Sequence, residues 1–407
     1  MKLIEGHYPI TAPAGVPEWD VDPFAVEILT DPISYYTELR AKGPFAYIPK
    51  YSMLACGRYE EAKEVFSDHE RFVSGRGVGL QDFALEEPWR PPSIVLEVDP
   101  PYHTQNRRVL ARVMAPKAVQ RLKEAFRIAA EALIDDLLER GSFEAVGDLA
   151  EAFPVKVFSE AVGLTDPDRR KLVDYGAMVF NGIGPDNPIR QASMAKVPTI
   201  VPWITEQCRR ENLSDDGIGA EIYAAADSAE ITEDEAGMLI RSLLSAGIDT
   251  TVTGLGSALW CFANNPGEFE RLKANPKLAR AAFEETLRFT SPIHSFCRTA
   301  GVDTEVAGVP IVEGTKILCV LGAANLDESH WENAGRFDIA RRTLGHLAFG
   351  VGIHGCVGQN LARAEGEAVL GAIARKVGRI ELNGDPVWRP NNSIRALDST
   401  PLRFHAK

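Results

Sequence analysis

Read for the spacing of its apolar positions, the chain is helical through most of its length. From Pro101 to about Lys376 apolar residues recur every three to four positions, with proline-bearing turns between the runs. The segment LKEAFRIAAEALIDDLLERG keeps that period and stops on Gly141, a residue suited to closing a helix. A second run opens on Thr232, with Glu235 three residues on, the signature of a capping box. Its period continues through AGMLIRSLLSAGIDTTVTGLGSALWCFANNP to Pro266, which predicts one rod of roughly 45–50 Å at 1.5 Å per residue. Within it, Ala246-Gly247-Ile248-Asp249-Thr250-Thr251 gathers three poor helix formers, Gly, Asp and Thr, so the cluster reads as a weak spot or as an opening at a ligand. Short apolar patches before residue 90, such as FAYIP and SMLACG, predict small strands, as do IELNGDPVWRPNNSIRALDSTPLRF and its neighbours near the end. No repeat or linker divides the chain. The expected fold is mainly α with a minor β part, one domain over residues 1–407 with an extended segment at 1–20.

Composition narrows the partners. The 407 residues are 45% hydrophobic and 25% charged, with a formal charge of -13. That charge argues against nucleic acid, and an anion site would need its own named arginines. No apolar run reaches the length of about eighteen residues that a membrane span requires, and the N-terminus lacks a secretion signal. The six cysteines are scattered without CxxC spacing, as expected for a reducing compartment, with cytoplasm the default.

One of those cysteines sits in HLAFGVGIHGCVGQNLARAEGE. Gly350, Gly352 and Gly355 spell GxGxxG, the spacing of a dinucleotide-binding turn, and Glu381 would be the acid that such a site needs. HLAF is too short and too polar at its start for a buried central strand, and only about two dozen residues follow RIEL, too few for further βαβ units. The glycines are better explained by the sulfur. Gly350, Gly352 and Gly358 let the backbone pass close to a flat, bulky group, and Cys356 precedes a helix whose amide dipoles favour a thiolate. A lone thiolate so placed is an axial ligand type for haem.

Phe349, Gly352, His354, Cys356 and Gly358 reproduce the FxxGxHxCxG signature, and the chain resembles the cytochrome P-450 family. Glu285 and Arg288 resemble its ExxR pair, with Arg336 as the third member of the buried triad, and AGIDT resembles its oxygen-activation motif on a distal helix over the haem. The resemblance runs from about residue 30 to the end. It implies haem b with Cys356 on the iron, propionate contacts from His103, Arg107, Arg298 and His354, and Ala246, Phe349 and Gly350 against the ring. It also implies that Asp249 relays protons from solvent while Thr250 holds the reacting oxygen by a hydrogen bond. With no flavin or iron–sulfur module after the haem region, electrons would come from a ferredoxin and its NAD(P)H-dependent reductase, and a monomer is expected.

Within the family the chain is most similar to bacterial enzymes that O-demethylate para-methoxybenzoate and oxidise other para-substituted benzoates. That likeness puts Arg90, Ser93, Arg241 and Ser242 on the carboxylate, and Leu96, Phe180, Ile293, Phe296 and Ser245 around the ring. Ile183 stands where the group usually has a second phenylalanine, so the space at the para end should differ. Independently of the likeness, Ser242 precedes Ala246 by one helical turn, about 6 Å, roughly the span of a para-substituted benzoate. Arg241 lies among Leu239, Ile240, Leu243 and Leu244, a stretch expected to be buried, and a buried arginine requires an anion. The expected activity is oxidation of a small para-substituted aromatic acid. The alternatives are a P-450 for a neutral aromatic or terpenoid, with Arg90 and Arg241 structural, and a haem-based gas sensor.

Overall fold

The computed structural model describes residues 10–407; of the extended segment expected at 1–20, residues 1–9 lie outside the described part. The helical reading holds. Lys123–Arg140 is a helix whose C-cap, Gly141, takes φ +73°, a conformation that glycine reaches without strain. The cysteine is followed by helix Gln359–Lys376, which packs on Lys123–Arg140 and on Ala279–Thr290. The last of these approaches is close: a Cβ on Gly366 would stand 2.4 Å from the Phe283 ring.

The β part is minor. A five-stranded sheet orders Ala46–Ile48, Met53–Cys56, Lys316–Cys319, Phe296–Ala300 and Phe72–Val73, with the pair Met53–Cys56 and Lys316–Cys319 parallel and the rest antiparallel. The FAYIP and SMLACG patches supply its first two strands. The chain's end forms strands Val377–Leu382, Val387–Arg389, Ala396–Ser399 and Pro401–Ala406, as the alternation predicted.

The rod expected from Thr232 to Pro266 is two helices, Glu233–Ala246 and Asp249–Asn264, interrupted at Gly247 and Ile248. The capping box at its start is present: the Thr232 hydroxyl accepts from the Glu235 amide (3.2 Å) and the Glu235 carboxylate accepts from the Thr232 amide (2.7 Å). At the break, Gly247 N–H still reaches Leu243 O (2.8 Å), and the ladder resumes with Val252 N–H to Ile248 O (2.9 Å). Gly247 is needed there because a Cβ would lie 2.3 Å from the Phe158 ring. The Gly-Asp-Thr cluster is thus an opening, and Ala246, Gly247, Thr250 and Thr251 line a deep cavity there.

The buried triad also differs from expectation. Arg288 and Glu285 are wholly buried and joined by two hydrogen bonds of 2.8 Å, but the third arginine is Arg341, whose Nε lies 3.2 Å from Glu285. Arg336 contributes its backbone carbonyl, which accepts from both Arg288 and Arg341. In GRFDIARR the turn after Phe337 carries Arg336 outward and brings Arg341 in.

Candidate active site

The loop 346–356 is shaped by short backbone bonds and fastened at both ends. Leu347 N–H donates to Asn325 Oδ1 (2.7 Å), Gly350 N–H to Leu347 O (2.8 Å), and Cys356 N–H to Phe349 O (2.7 Å). Gly350 and Gly352 take φ +65° and +74°, and a Cβ on Gly352 would stand 2.9 Å from the Ser67 backbone, so both positions require glycine. Glu284 clamps the loop to the following helix: it meets His346 (2.7 Å) and Arg363, whose guanidinium lies 4.5 Å from the Phe349 ring centre.

This folding places Cys356 on the floor of a cavity of about 1750 Å³, solvent mouth included. The other five cysteines are buried elsewhere. Burial raises the Cys356 thiol's pKa, while the amides of Gly358 and Gln359 and the Arg107 and Arg363 guanidiniums pull it down. That is the amide-dipole effect anticipated from its place before a helix. Phe349, Gly350 and His354 share the floor, and Ala246, Thr250 and Ser245 come from the opened rod above.

One flank of the cavity is cationic, with Asp99 behind it, 3.9 Å from His354 Nε2. Arg107 and Arg298 line it; Arg107 donates to Gly355 O, and Arg298 donates to Cys297 O (2.9 Å) and stacks 4.1 Å over Phe66. Burial holds the pKa of Arg298 below its usual value. His103 does not line the cavity; it backs His354, ring centres 4.4 Å apart. Burial, with His354 and Arg107 nearby, lowers His103 to about 4. Its Nε2 and both ring nitrogens of His354 have no hydrogen-bond partner among the described residues.

Above the floor, the helix Glu233–Ala246 and the segment 90–97 build a polar corner. Ser93 Oγ and Ser242 Oγ are 3.1 Å apart, and Arg241 donates to Pro91 O (2.9 Å) and Pro92 O (3.1 Å). Arg241 has no carboxylate within ion-pair distance among the described residues, and desolvation lowers its pKa against the weaker pull of Tyr175 and Glu97. Leu239, Ile240, Leu243 and Leu244 around it are buried, as anticipated. Arg90 differs: its guanidinium is 2.9 Å from the buried Glu97, which also accepts from the Ser93 amide (2.7 Å). Leu96, Phe180, Ile183, Ile293 and Phe296 complete the apolar walls, with Phe180 and Phe296 stacked at 6.5 Å. Ile183 is fixed through its carbonyl, which accepts from Leu80 N–H (2.9 Å).

The acid–alcohol pair is split in direction. Thr250 faces the cavity and its hydroxyl donates to Ala246 O (2.8 Å). Asp249 is fully buried behind it, 3.1 Å from Arg389 Nη2, with Oδ2 unpartnered; burial raises its pKa against the pull of Arg389. Sequence reasoning missed Glu365. It lines the cavity with Oε1 unpartnered, and burial pushes it up to about 8, against a hydrogen bond from Thr251. A signal existed: Glu365 interrupts the buried stripe Leu361, Val369, Ile373 at helical spacing.

A deep cysteine beneath an opened helix, flanked by arginines and a histidine, is the architecture of a haem-thiolate enzyme. The chain belongs to the cytochrome P450 family and is a P450 monooxygenase: the Cytochrome P450 family profile matches residues 203–377, and the relatives match nearly end to end. It is 48% identical to cytochrome P450 CYP199A2 of Rhodopseudomonas palustris over 97% of each chain. Cytochrome P450 CREJ, solved with (4-ethylphenyl) dihydrogen phosphate, is 26% identical, with a TM-score of 0.84 over 94% of this chain and 99% of that one. The P450 CYP109Q5 of Chondromyces apiculatus is 30% identical, with a TM-score of 0.80 over 95% and 99%. The family's cofactor is haem b on a cysteine thiolate. The cavity fits that group: it has one thiol on its floor, and Arg107 and Arg298, which line it with no ion-pair partner among the described residues, are left for propionates, with His354 beside them, its Nε2 3.9 Å from Asp99. Among the described residues no helix is long and apolar enough to cross a membrane.

Proposed function

We propose that this P450 oxidises the para-substituent of a small benzoate-type acid, with Cys356 as the iron ligand. The observation that carries the reading is the corner formed by Arg241, Ser93 and Ser242, a cationic and hydroxylic site in which Glu97 is paired with Arg90 and Arg241 has no ion-pair partner among the described residues, beside the apolar walls of the cavity. A desolvated guanidinium there is stabilised by an anionic substrate group. The corner lies one helical turn from Ala246, so an acid held by Arg241 and Ser242 extends its para end toward the floor. The likeness to para-benzoate oxidisers supports this, as does the ligand of CREJ, a para-alkylphenyl group with an anionic head. Ile183 at the para end favours ring substituents of a different shape from those a phenylalanine would accept.

Haem, when bound, supplies dioxygen binding and the transfer of two electrons. The protein's residues would hold the propionates (Arg107, Arg298 and His354, with His103 backing His354 rather than reaching the cavity), orient the acid, and deliver protons. In this reading Asp249, buried behind Thr250 and ion-paired with Arg389, carries protons toward the cavity, and Thr250 is the hydroxyl that receives them there. For a methoxy substrate the balance is ArOCH₃ + O₂ + 2e⁻ + 2H⁺ giving ArOH, formaldehyde and water. The electrons come from a ferredoxin reduced by an NAD(P)H-dependent reductase, in the cytoplasm, to a monomer of one domain.

The Arg90–Glu97 pair favours a second reading, a neutral aromatic substrate, because it leaves Arg90 already neutralised. Turnover and haem spectral titration of 4-methoxybenzoate against its amide and methyl ester separate the two; the acid should bind tightly and the neutral forms weakly. Equal binding would overturn the substrate class. Cys356→Ser should abolish the thiolate-type spectrum of the reduced CO complex; its persistence would overturn the ligand assignment.

A further inference from the structure

Three arginines of the described structure are buried: Arg288, Arg298 and Arg395. Arg288 is neutralised by Glu285, and Arg298 lines the cavity where a propionate belongs. Arg395, 7% exposed, has no carboxylate within ion-pair distance among the described residues. It lines a second, much smaller cavity, enclosed between helix Ile33–Lys42 and the segment 292–296, with room for about one water-sized sphere. The Nε of Arg395, the hydroxyl of Tyr36 and Nε2 of His294 all lack hydrogen-bond partners among the described residues. Tyr36 and His294 also line this cavity, and they are 2% and 9% exposed. The Trp388 ring, 4.6 Å away, covers one face of the guanidinium and offsets only part of its desolvation.

We propose that this cavity is a binding site for a small monovalent anion of the halide class, held by Arg395 and the Tyr36 hydroxyl. A water molecule would satisfy the hydrogen bonds but would leave the guanidinium charge uncompensated. A single positive charge calls for a single negative one, and the size of the cavity excludes a phosphate or a carboxylic acid. The site adjoins the substrate cavity: His294 and Ser295 face the small cavity, whereas Ile293 and Phe296 of the same segment face the large one. Ile293 is in turn bridged to Ile394, next to Arg395. A bound anion therefore braces one wall of the substrate cavity from behind.

The test is thermal unfolding of the haem-loaded protein at fixed ionic strength, with gluconate replaced stepwise by bromide. The melting temperature should rise by about 2–4 °C once bromide exceeds its Kd a hundredfold. The rise should vanish in Arg395→Met and shrink in Tyr36→Phe. Crystals soaked in bromide should show an anomalous peak between Arg395 and Tyr36. Should Arg395→Met fail to fold, the wild-type titration, Tyr36→Phe and the anomalous map still decide. Equal melting in both salts, or an ordered water with no anomalous signal beside Arg395, would overturn the proposal.

Discussion

Replacing Arg241 by Met keeps the length of the side chain and removes its charge. In the structure the guanidinium is anchored by the carbonyls of Pro91 and Pro92, is desolvated, and has no carboxylate of its own among the described residues. It therefore keeps its full charge for a bound acid. Losing one charged hydrogen bond in a desolvated site costs about 2–5 kcal/mol. Arg241 is only half-buried and Arg90 remains nearby, so the lower part of that range applies, about 2–3 kcal/mol, or roughly 30–150-fold in Kd. The assay is the haem spectral shift on titration with 4-methoxybenzoate and with its amide. The acid should lose that factor and the amide should lose little. If both ligands weaken equally, Arg241 only shapes the cavity and the carboxylate argument fails.

Arg90→Met should act on the fold as well, because it leaves Glu97 buried without its cation; such losses cost about 3–5 kcal/mol, and adding Glu97→Gln should recover part of the lost melting temperature. Thr250→Ala should keep substrate affinity but divert more of the NADH consumed to hydrogen peroxide; full coupling in the variant would remove Thr250 from proton delivery. Glu365 is held up to about 8, above its usual range, so its contribution to stability is complete below about pH 4.5 and is lost as pH rises through 8. Denaturation of the haem-loaded protein between pH 5 and 9 should show that decline, at most roughly 5 kcal/mol, and Glu365→Gln should flatten it; parallel slopes would show that the carboxyl is not protonated in the fold.

What could be read from the sequence was what local chemistry decides. The helix caps, the glycines around Cys356 and the alternating strands near the end follow from short-range sterics and hydrogen bonding, and the structure reproduces them. The cavity residues were legible because their order along the chain resembles a known family, and all the residues expected around the substrate line one cavity. The failures share a cause. Arg336 and Arg341 lie five residues apart, and a turn that no periodicity encodes decides which of them meets Glu285. Glu97 neutralises Arg90 from a loop without regular spacing, and Asp249 finds Arg389 140 residues away. The helix period ran through Gly247 because apolar spacing carries no record of a missing rung. Only the Phe158 ring, brought against that glycine by the tertiary fold, makes the opening visible.

The bond that spans that opening fixes a polarity. A threonine hydroxyl has one proton, and Thr250 gives its proton to the carbonyl of Ala246. Toward the cavity the oxygen therefore offers lone pairs alone, so it welcomes a neighbour that carries an O–H and has nothing to give one that can only accept. The broken turn is in this sense a one-way valve for hydrogen bonds: it sorts what rests against it by whether a proton has already arrived. A serine could keep that polarity, a valine of the same shape could not, and the difference between the two would measure the valve with the packing held nearly constant.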